Sequence, residues 1–244
     1  MAIQKTIEEA AQAGARFEHA DAQDVLEWGL QRFSPEIALA CSFGGASGMV
    51  LLDLAVRTGW NFEVFYLDTD LLFPETYALI EQVRDHYGVE PVGYRSRWTL
   101  EAQEREFAPN LWERNPDMCC SLRKVEPNAR ALQGKQAWIA GLRRDQAATR
   151  RNIAKVEWDA KFEIVKLNPL ADWSEDEVWQ YVRANGVPYN ELHDKGYASI
   201  GCVHCTRPAS VAGDGNLRAG RWVGFDKTEC GLHTDGPLQL PISR

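Results

Sequence analysis

The sequence predicts an α/β fold: a mostly parallel sheet flanked by helices, followed by an irregular C-terminal tail. Three observations predict it. Short apolar runs alternate with amphipathic segments, the first run passes through a glycine-rich turn straight into an apolar helix, and periodicity fades beyond Pro188. Such alternation builds β-α-β units with right-handed crossovers. Ligands of these sheets bind beyond the carboxyl ends of the strands.

Two helical stretches come first, the second with Ala22, Val25, Leu26, Leu30 and Phe33 at spacings of three and four. Ile37–Cys41 reads as a buried strand, Ser42–Gly48 as its turn, and about Met49–Val56 as the next helix. Phe62–Leu67 reads as a second strand, and a helix after Pro74 places Tyr77, Ile80, Val83 and Tyr87 on one face. Pro91–Tyr94 and Gln136–Ala140 are the third and fourth strands. A further helix lies between Asp172 and Asn185, with Ser174 and Glu177 as a capping box and Trp173 and Val178 as a hydrophobic staple. No repeat or low-complexity linker interrupts the chain.

The 244 residues are 45% apolar and 25% charged, the composition of an ordinary globular protein. With 27 basic and 35 acidic residues the net charge is -8, which argues against nucleic-acid and anionic-membrane partners. No apolar run approaches the roughly 20 residues of a membrane span. The stretch Met1–Ala20 is polar and unlike a signal peptide, so a cytoplasmic protein is expected.

Backbone N–H groups of a glycine-containing turn at a helix start suit phosphate. Gly44, Gly45 and Gly48 give such a turn close approach and unusual dihedrals, although any α/β protein can carry a tight turn there. After the fourth strand Arg143, Arg144, Arg150 and Arg151 should face the same crevice, some of them merely as solvated charge. Arg218 and Arg221 add a second cationic pair. Local positive charge on an acidic chain favours a small anion over a polyanion.

Six cysteines are clustered: an adjacent pair Cys119-Cys120, a C-x-x-C at Cys202 and Cys205, and the single residues Cys41 and Cys230. In a reducing compartment the first four point to metal rather than to disulfides or idle thiols. Adjacent side chains diverge, so a [4Fe–4S] cluster suits them better than one tetrahedral zinc, which stays the alternative. Cys230 stands in a segment with few apolar anchors and is expected to be accessible, its thiol activated by Lys227 and His233. Cys41 reads as core.

Together these motifs resemble the adenylyl-sulfate (APS) reductases of the PAPS reductase family. The resemblance rests on Ser42-Phe-Gly-Gly-Ala46, Leu67-Asp-Thr-Asp-Leu-Leu-Phe-Pro-Glu-Thr-Tyr77, Cys119-Cys-Ser-Leu-Arg-Lys-Val-Glu-Pro127, Gly141-Leu-Arg-Arg-Asp-Gln146, Ile200-Gly-Cys-Val-His-Cys-Thr-Arg-Pro208, Gly220-Arg-Trp222 and Glu229-Cys-Gly-Leu-His233. It implies a PP-loop (adenine nucleotide alpha hydrolase-like) domain over residues 1–206, with a mobile segment 207–244 carrying the catalytic cysteine. It further implies a [4Fe–4S] cluster on Cys119, Cys120, Cys202 and Cys205, and Cys230 as nucleophile. Lys124, Arg218, Arg221 and His233 match contacts to the phosphosulfate, and Leu67 and Thr69 match backbone contacts to adenine. Ser42, Gly44 and Gly45 match the loop, and Gly141 and Arg150 match further substrate positions. Ala46-Ser-Gly48 departs from relatives that carry acidic residues there, so no catalytic role is assigned to Ser47 or Gly48.

The implied activity is thiol-dependent reduction of adenosine 5'-phosphosulfate to sulfite and AMP, in sulfate assimilation and cysteine biosynthesis. Thioredoxin or glutaredoxin is the implied reductant, and a homo-oligomer is left open. PAPS reductases keep the terminal cysteine motif but typically lack the cluster ligands, which turns the expectation toward APS. A PP-loop tRNA sulfur-transfer enzyme would use ATP and Mg²⁺ and carry more basic charge, and a noncatalytic redox sensor would have no need of Cys230.

Overall fold

The structure is a computed structural model that describes residues 2–209, 218 and 220–233. Helices α1 (Ala2–Phe17) and α2 (Ala22–Phe33) open the chain, and α2 turns Val25, Leu26, Leu30 and Phe33 into the core as its spacing predicts. Strand β1 (Ile37–Ala40) is apolar because helices or loops cover both of its faces. Next come α3 (Ala46–Arg57), β2 (Glu63–Asp68), α4 (Pro74–Tyr87) and β3 (Val92–Arg95). Short helices α5 (Leu100–Glu106), α6 (Leu111–Arg114) and α7 (Pro116–Cys120), a π-helical turn at Ser121–Val125, and α8 (Glu126–Ala131) lead into β4 (Ala137–Ala140). Strands β5 (Val156–Asp159) and β6 (Ile164–Leu167) and helix α9 (Glu175–Asn185) follow.

Among the described residues the six strands form one sheet in the order β3-β2-β1-β4-β6-β5. Neighbours are parallel except β5, which runs antiparallel to β6 at the edge. Leu39 of β1 sits opposite Val64 on one side and Ile139 on the other. The order changes direction between β1 and β4, so the loops leaving these two strands part and open a crevice at their carboxyl ends. Helices α1, α2, α3, α4 and α9 cover one face over Leu39, Ile139 and Leu167, while Ala131 and Leu132 cover Phe65, Trp138 and Ala140 on the other. No helix of the described residues is long and apolar enough to cross a membrane.

Four features depart from the sequence reading. Helix α3 starts at Ala46 rather than near Met49: Gly45 caps it in extended conformation, and packing in the crevice overrides the weak helix propensity of Ser47 and Gly48. The unusual dihedral of the preceding turn falls on Phe43, at φ 53°, and not on Gly44, Gly45 or Gly48. Gly44 instead allows close approach, since a Cβ there would lie 2.5 Å from the Ile200 carbonyl oxygen. Strands β5 and β6 and the short helices between β3 and β4, each of seven residues or fewer, are absent from the sequence reading.

The α9 cap is as expected: the Ser174 hydroxyl accepts from Glu177 N, and the Glu177 carboxylate accepts from Ser174 N. Of the proposed segment 207–244, residues 210–217, 219 and 234–244 lie outside the described residues. Within it, residues 220–233 lie against the sheet domain without regular helix or strand.

Candidate active site

One cavity of about 240 Å³ opens at the switch point between β1 and β4. Its wall includes every substrate-site and nucleophile position taken from the motifs: Ser42, Gly44 and Gly45 after β1, Leu67 and Thr69 at the end of β2, and Lys124 in the π turn. From beyond β4 come Gly141 and Arg150, and from the tail Arg218, Arg221, Cys230 and His233. Sequence separations of almost 200 residues thus collapse onto one crevice, as the topology requires.

The four arginines after β4 divide. Arg143 is buried and bonded to Ser47, to Asp145 at 3.0 Å and to Glu175, so its charge is consumed inside the wall. Arg150 donates to both carboxylate oxygens of Glu229 at 2.8 Å and to Gln146 at 2.5 Å. Arg144 turns away to Glu18 at 2.7 Å, and Arg151 is exposed. Two of the four therefore face the crevice.

The tail arginines complete the positive wall. Arg218 donates to the Thr228 carbonyl at 3.0 Å and reaches Glu229 at 3.4 Å. Burial first, then the positive charges of Arg150 and Arg221, lower its pKa to about 10. Arg221 lies across the Trp222 ring at 4.6 Å and donates to Ser199 at 3.3 Å. A Cβ on Gly201 would lie 2.3 Å from its guanidinium, so a larger residue there would displace the arginine head from this position.

Cys230 is half-buried in the cavity wall rather than freely accessible. Burial alone would push its thiol up; the Lys124 ammonium, the Leu232 backbone N–H and Arg218 outweigh that and hold it below the ordinary value, against a smaller opposing effect of Glu229. The activating cation is thus Lys124. Lys227, expected in that role, pairs with Asp117 and lies over Trp222. His233 is no cation either: burial, followed by Lys166, Arg150 and Arg218, drives its pKa well below the usual histidine value, and the neutral ring stacks on Trp138 at 5.5 Å.

This geometry agrees with comparisons to known proteins. A model of the phosphoadenosine phosphosulfate reductase domain matches residues 36–208. The chain belongs to the phosphoadenosine phosphosulfate reductase family. Adenosine 5'-phosphosulfate reductase 2 of Bacillus subtilis (strain 168) is 48% identical over 216 residues, covering 88% of this chain and 90% of that protein. The adenosine 5'-phosphosulfate reductase of Geobacillus kaustophilus (strain HTA426) is 48% identical over 213 residues, 87% of this chain and 89% of that one. The crystal structure of phosphoadenylyl-sulfate (PAPS) reductase from Candida auris, a phosphate complex, superimposes with a TM-score of 0.71 at 32% identity, covering 81% of this chain and 95% of that chain. Candida glabrata FMN adenylyltransferase, at 16% identity and a TM-score of 0.56, shares the fold alone.

In this member of the reductase family the paired cysteines meet beside the cavity. Cys119 and Cys120 end α7, and Cys202 and Cys205 bracket a 3-10 turn. Burial first, then the charges of Cys120, Cys202 and Cys205, push the Cys119 thiol up to about 12. Burial likewise raises Cys120 to about 12 against the opposing charge of Lys124. Leu71, Leu111, Trp112 and Leu122 pack around them, and Cys202 Sγ lies 3.3 Å from the Thr69 hydroxyl. Among the described residues no group of three or more His, Cys, Asp or Glu side chains stands close enough to hold a metal ion. Three of the four thiols are buried and Cys205 is half-buried, and the all-sulfur chemistry of the set suits a soft metal centre.

Three residues of the reductase site escaped the sequence reading. Arg123, 1% exposed, donates to Gln103 at 2.8 Å and to the Thr69 carbonyl and Asp70 carboxylate at 3.0 Å, which fixes the turn after β2. Glu229 binds Arg150, and Asn190 holds the Phe43 carbonyl at 3.0 Å. The signal available was their place: Arg123 beside Lys124, Glu229 beside Cys230.

Proposed function

We propose that the chain reduces adenosine 5'-phosphosulfate to sulfite and AMP, with Cys230 as nucleophile and a thioredoxin- or glutaredoxin-class dithiol as electron source. The observation that carries this reading is the Cys230 thiol, held below its ordinary pKa by Lys124 in the wall of a cation-rich cavity that also contains the loop after β1. The names of the relatives at 48% identity point the same way. The four cysteines beside the cavity favour APS over PAPS.

In the first step the Cys230 thiolate attacks the sulfur of APS. The bond from sulfur to the bridging phosphate oxygen breaks, AMP leaves with its electron pair, and Cys230 becomes an S-sulfocysteine. Lys124, Arg218 and Arg221 neutralise charge that grows on the departing phosphate, which is where preorganised cations lower a barrier. In the second step a thiolate of the dithiol attacks Cys230 Sγ, sulfite departs, and the second thiol closes a disulfide. Both electrons that take sulfur from +6 to +4 come from this dithiol.

Cys119, Cys120, Cys202 and Cys205 would hold a [4Fe–4S] cluster. When bound it supplies a covalent tie between α7 and the 202–205 turn. Lys124 lies four residues past Cys120, so that tie also sets where the ammonium stands. A cytoplasmic site of action accords with the free thiols.

The deciding experiment incubates the purified protein with APS, PAPS or ATP and reduced thioredoxin, and assays sulfite and AMP. Sulfite and AMP in equal amounts from APS, with an SO₃ adduct on Cys230 when the dithiol is omitted, is the expected result. Turnover by Cys230→Ser would overturn the mechanism, and preference for PAPS would overturn the substrate.

A further inference from the structure

We propose that Glu229 and Arg150 form the positioning pair that seats the Cys230 thiol, so that Arg150 serves the protein's own tail and not the bound phosphosulfate. This rests on Cys230 being the nucleophile proposed above.

The carboxylate immediately preceding Cys230 is 7% exposed and accepts from Arg150 Nε and Nη2, both at 2.8 Å. Thr149 Oγ1 adds a third bond at 3.2 Å. Arg150, itself 7% exposed, spends its remaining nitrogen Nη1 on Gln146 Oε1 at 2.5 Å. Gln146 is held in turn by the Arg143 backbone N–H at 3.1 Å. Every nitrogen of the Arg150 guanidinium thus has a protein acceptor. A planar bidentate fork fixes distance and direction together, as a single hydrogen bond does not.

The residue after Cys230 is tied as well. Lys161 Nζ, from the turn between β5 and β6, donates to the Gly231 carbonyl at 2.6 Å. The nucleophile therefore hangs between two anchors, both supplied by chain that follows β4. Buried Trp222 and the stacking of His233 on Trp138 hold the two ends of this segment, and between them the polar ties of Glu229 and Gly231 set where Cys230 stands. Breaking a buried pair by removing one partner is costly. Arg218 Nη2 still reaches Glu229 at 3.4 Å, but only Arg150 supplies the two-bond fork, so either single change should loosen the segment.

The test uses the full-length protein with Glu229→Gln, Arg150→Gln and the double variant. Hydrogen exchange is followed in peptides covering 220–233 and, as controls, β4 and β6. AMP affinity, and kcat and KM for APS, are measured alongside. Each single variant should exchange faster in 220–233 alone and lose about tenfold or more in kcat, with AMP affinity and KM held within about twofold. The double variant should lose no more than the worse single, because the two residues act as one unit.

Exchange unchanged in both singles would overturn the proposal. So would a tenfold loss of AMP or APS affinity confined to Arg150→Gln, which would make that arginine a ligand contact. Glu229→Asp, which keeps the charge but withdraws the fork, covers the case of a variant that does not fold; it should show the same pattern in weaker form, and wild-type exchange and kcat in it would also overturn the pair. A wild-type protein that releases no AMP from APS would sink the proposed function, while the exchange data would still decide the pair.

Discussion

The side-chain amide of Asn190 donates to the Phe43 carbonyl and to the Thr76 hydroxyl, each at 3.0 Å. Phe43 needs this support. It is buried, its φ of 53° is rarely adopted by bulky residues, and it turns the chain from β1 into the glycine loop. Replacing Asn190 by Ala removes these two bonds and a third, which Asn190 Oδ1 accepts from Leu192 N at 3.1 Å, at a cost of about 2–3 kcal/mol. Denaturant unfolding should show that loss. The loosened loop should also weaken AMP binding about tenfold. Full AMP affinity in Asn190→Ala would show that the loop holds its shape without the amide.

The relation between Lys124 and Cys230 predicts a reactivity profile. With the ammonium present, the thiol titrates below the ordinary 9.0 despite its burial. Lys124→Met removes the largest opposing effect and leaves burial against the Leu232 N–H and Arg218 alone, so the pH at which iodoacetamide modifies Cys230 at half-maximal rate should rise. Peptide mass spectrometry resolves Cys230 from the other five cysteines. Turnover at pH 7 should fall with the thiolate fraction, by about tenfold for each pKa unit. An unchanged alkylation profile would assign the activation elsewhere, with Arg218 next in order.

Much of this site was legible because its parts are local motifs with their own chemistry. The loop after β1, the thiol pairs and Cys230 each announce themselves in a few residues, and the alternation of β1, α3, β2 and α4 says which end of the sheet they share. What was not legible is pairing at a distance. That Arg150 belongs to Glu229, that Lys124 rather than Lys227 faces Cys230, and that His233 is neutral depend on how far burial suppresses charge. Strands β5 and β6 escaped for a related reason. Four residues with Glu157 and Lys166 among them carry little strand signal, and it is pairing with each other and with β4 that makes them strands.

The proposed cluster predicts a metal content. Protein prepared without oxygen should be brown and carry about four iron and four sulfide per chain. Cys205→Ser should lose most of the iron, and the 202–205 turn should become more accessible to protease. A colourless protein with one zinc per chain would refute the cluster while leaving the Cys230 chemistry standing. Because Lys124 follows Cys120 by a single helical turn, metal loss should also shift the Cys230 alkylation profile toward higher pH.

Asp68, at the end of β2, predicts how the cavity floor responds to acid. Its carboxylate accepts from the Tyr77 hydroxyl at 2.7 Å, Arg95 Nε at 2.8 Å and the Asp70 backbone at 3.1 Å. Burial alone would raise its pKa; these bonds reverse the effect and leave it below the ordinary carboxylate value. A carboxylate whose folded pKa is depressed stabilises fully above its unfolded value, near 4, and loses that contribution as pH falls through the folded value. Asp68→Asn should therefore be less stable by about 2–3 kcal/mol at pH 7 and show a shallower decline in stability below about pH 4. Urea unfolding at pH 3, 4 and 7 reads both effects. Parallel acid limbs in wild type and variant would mean that another carboxylate governs the transition, and Glu229, lowered by Arg150 after burial is overcome, would be the next to replace.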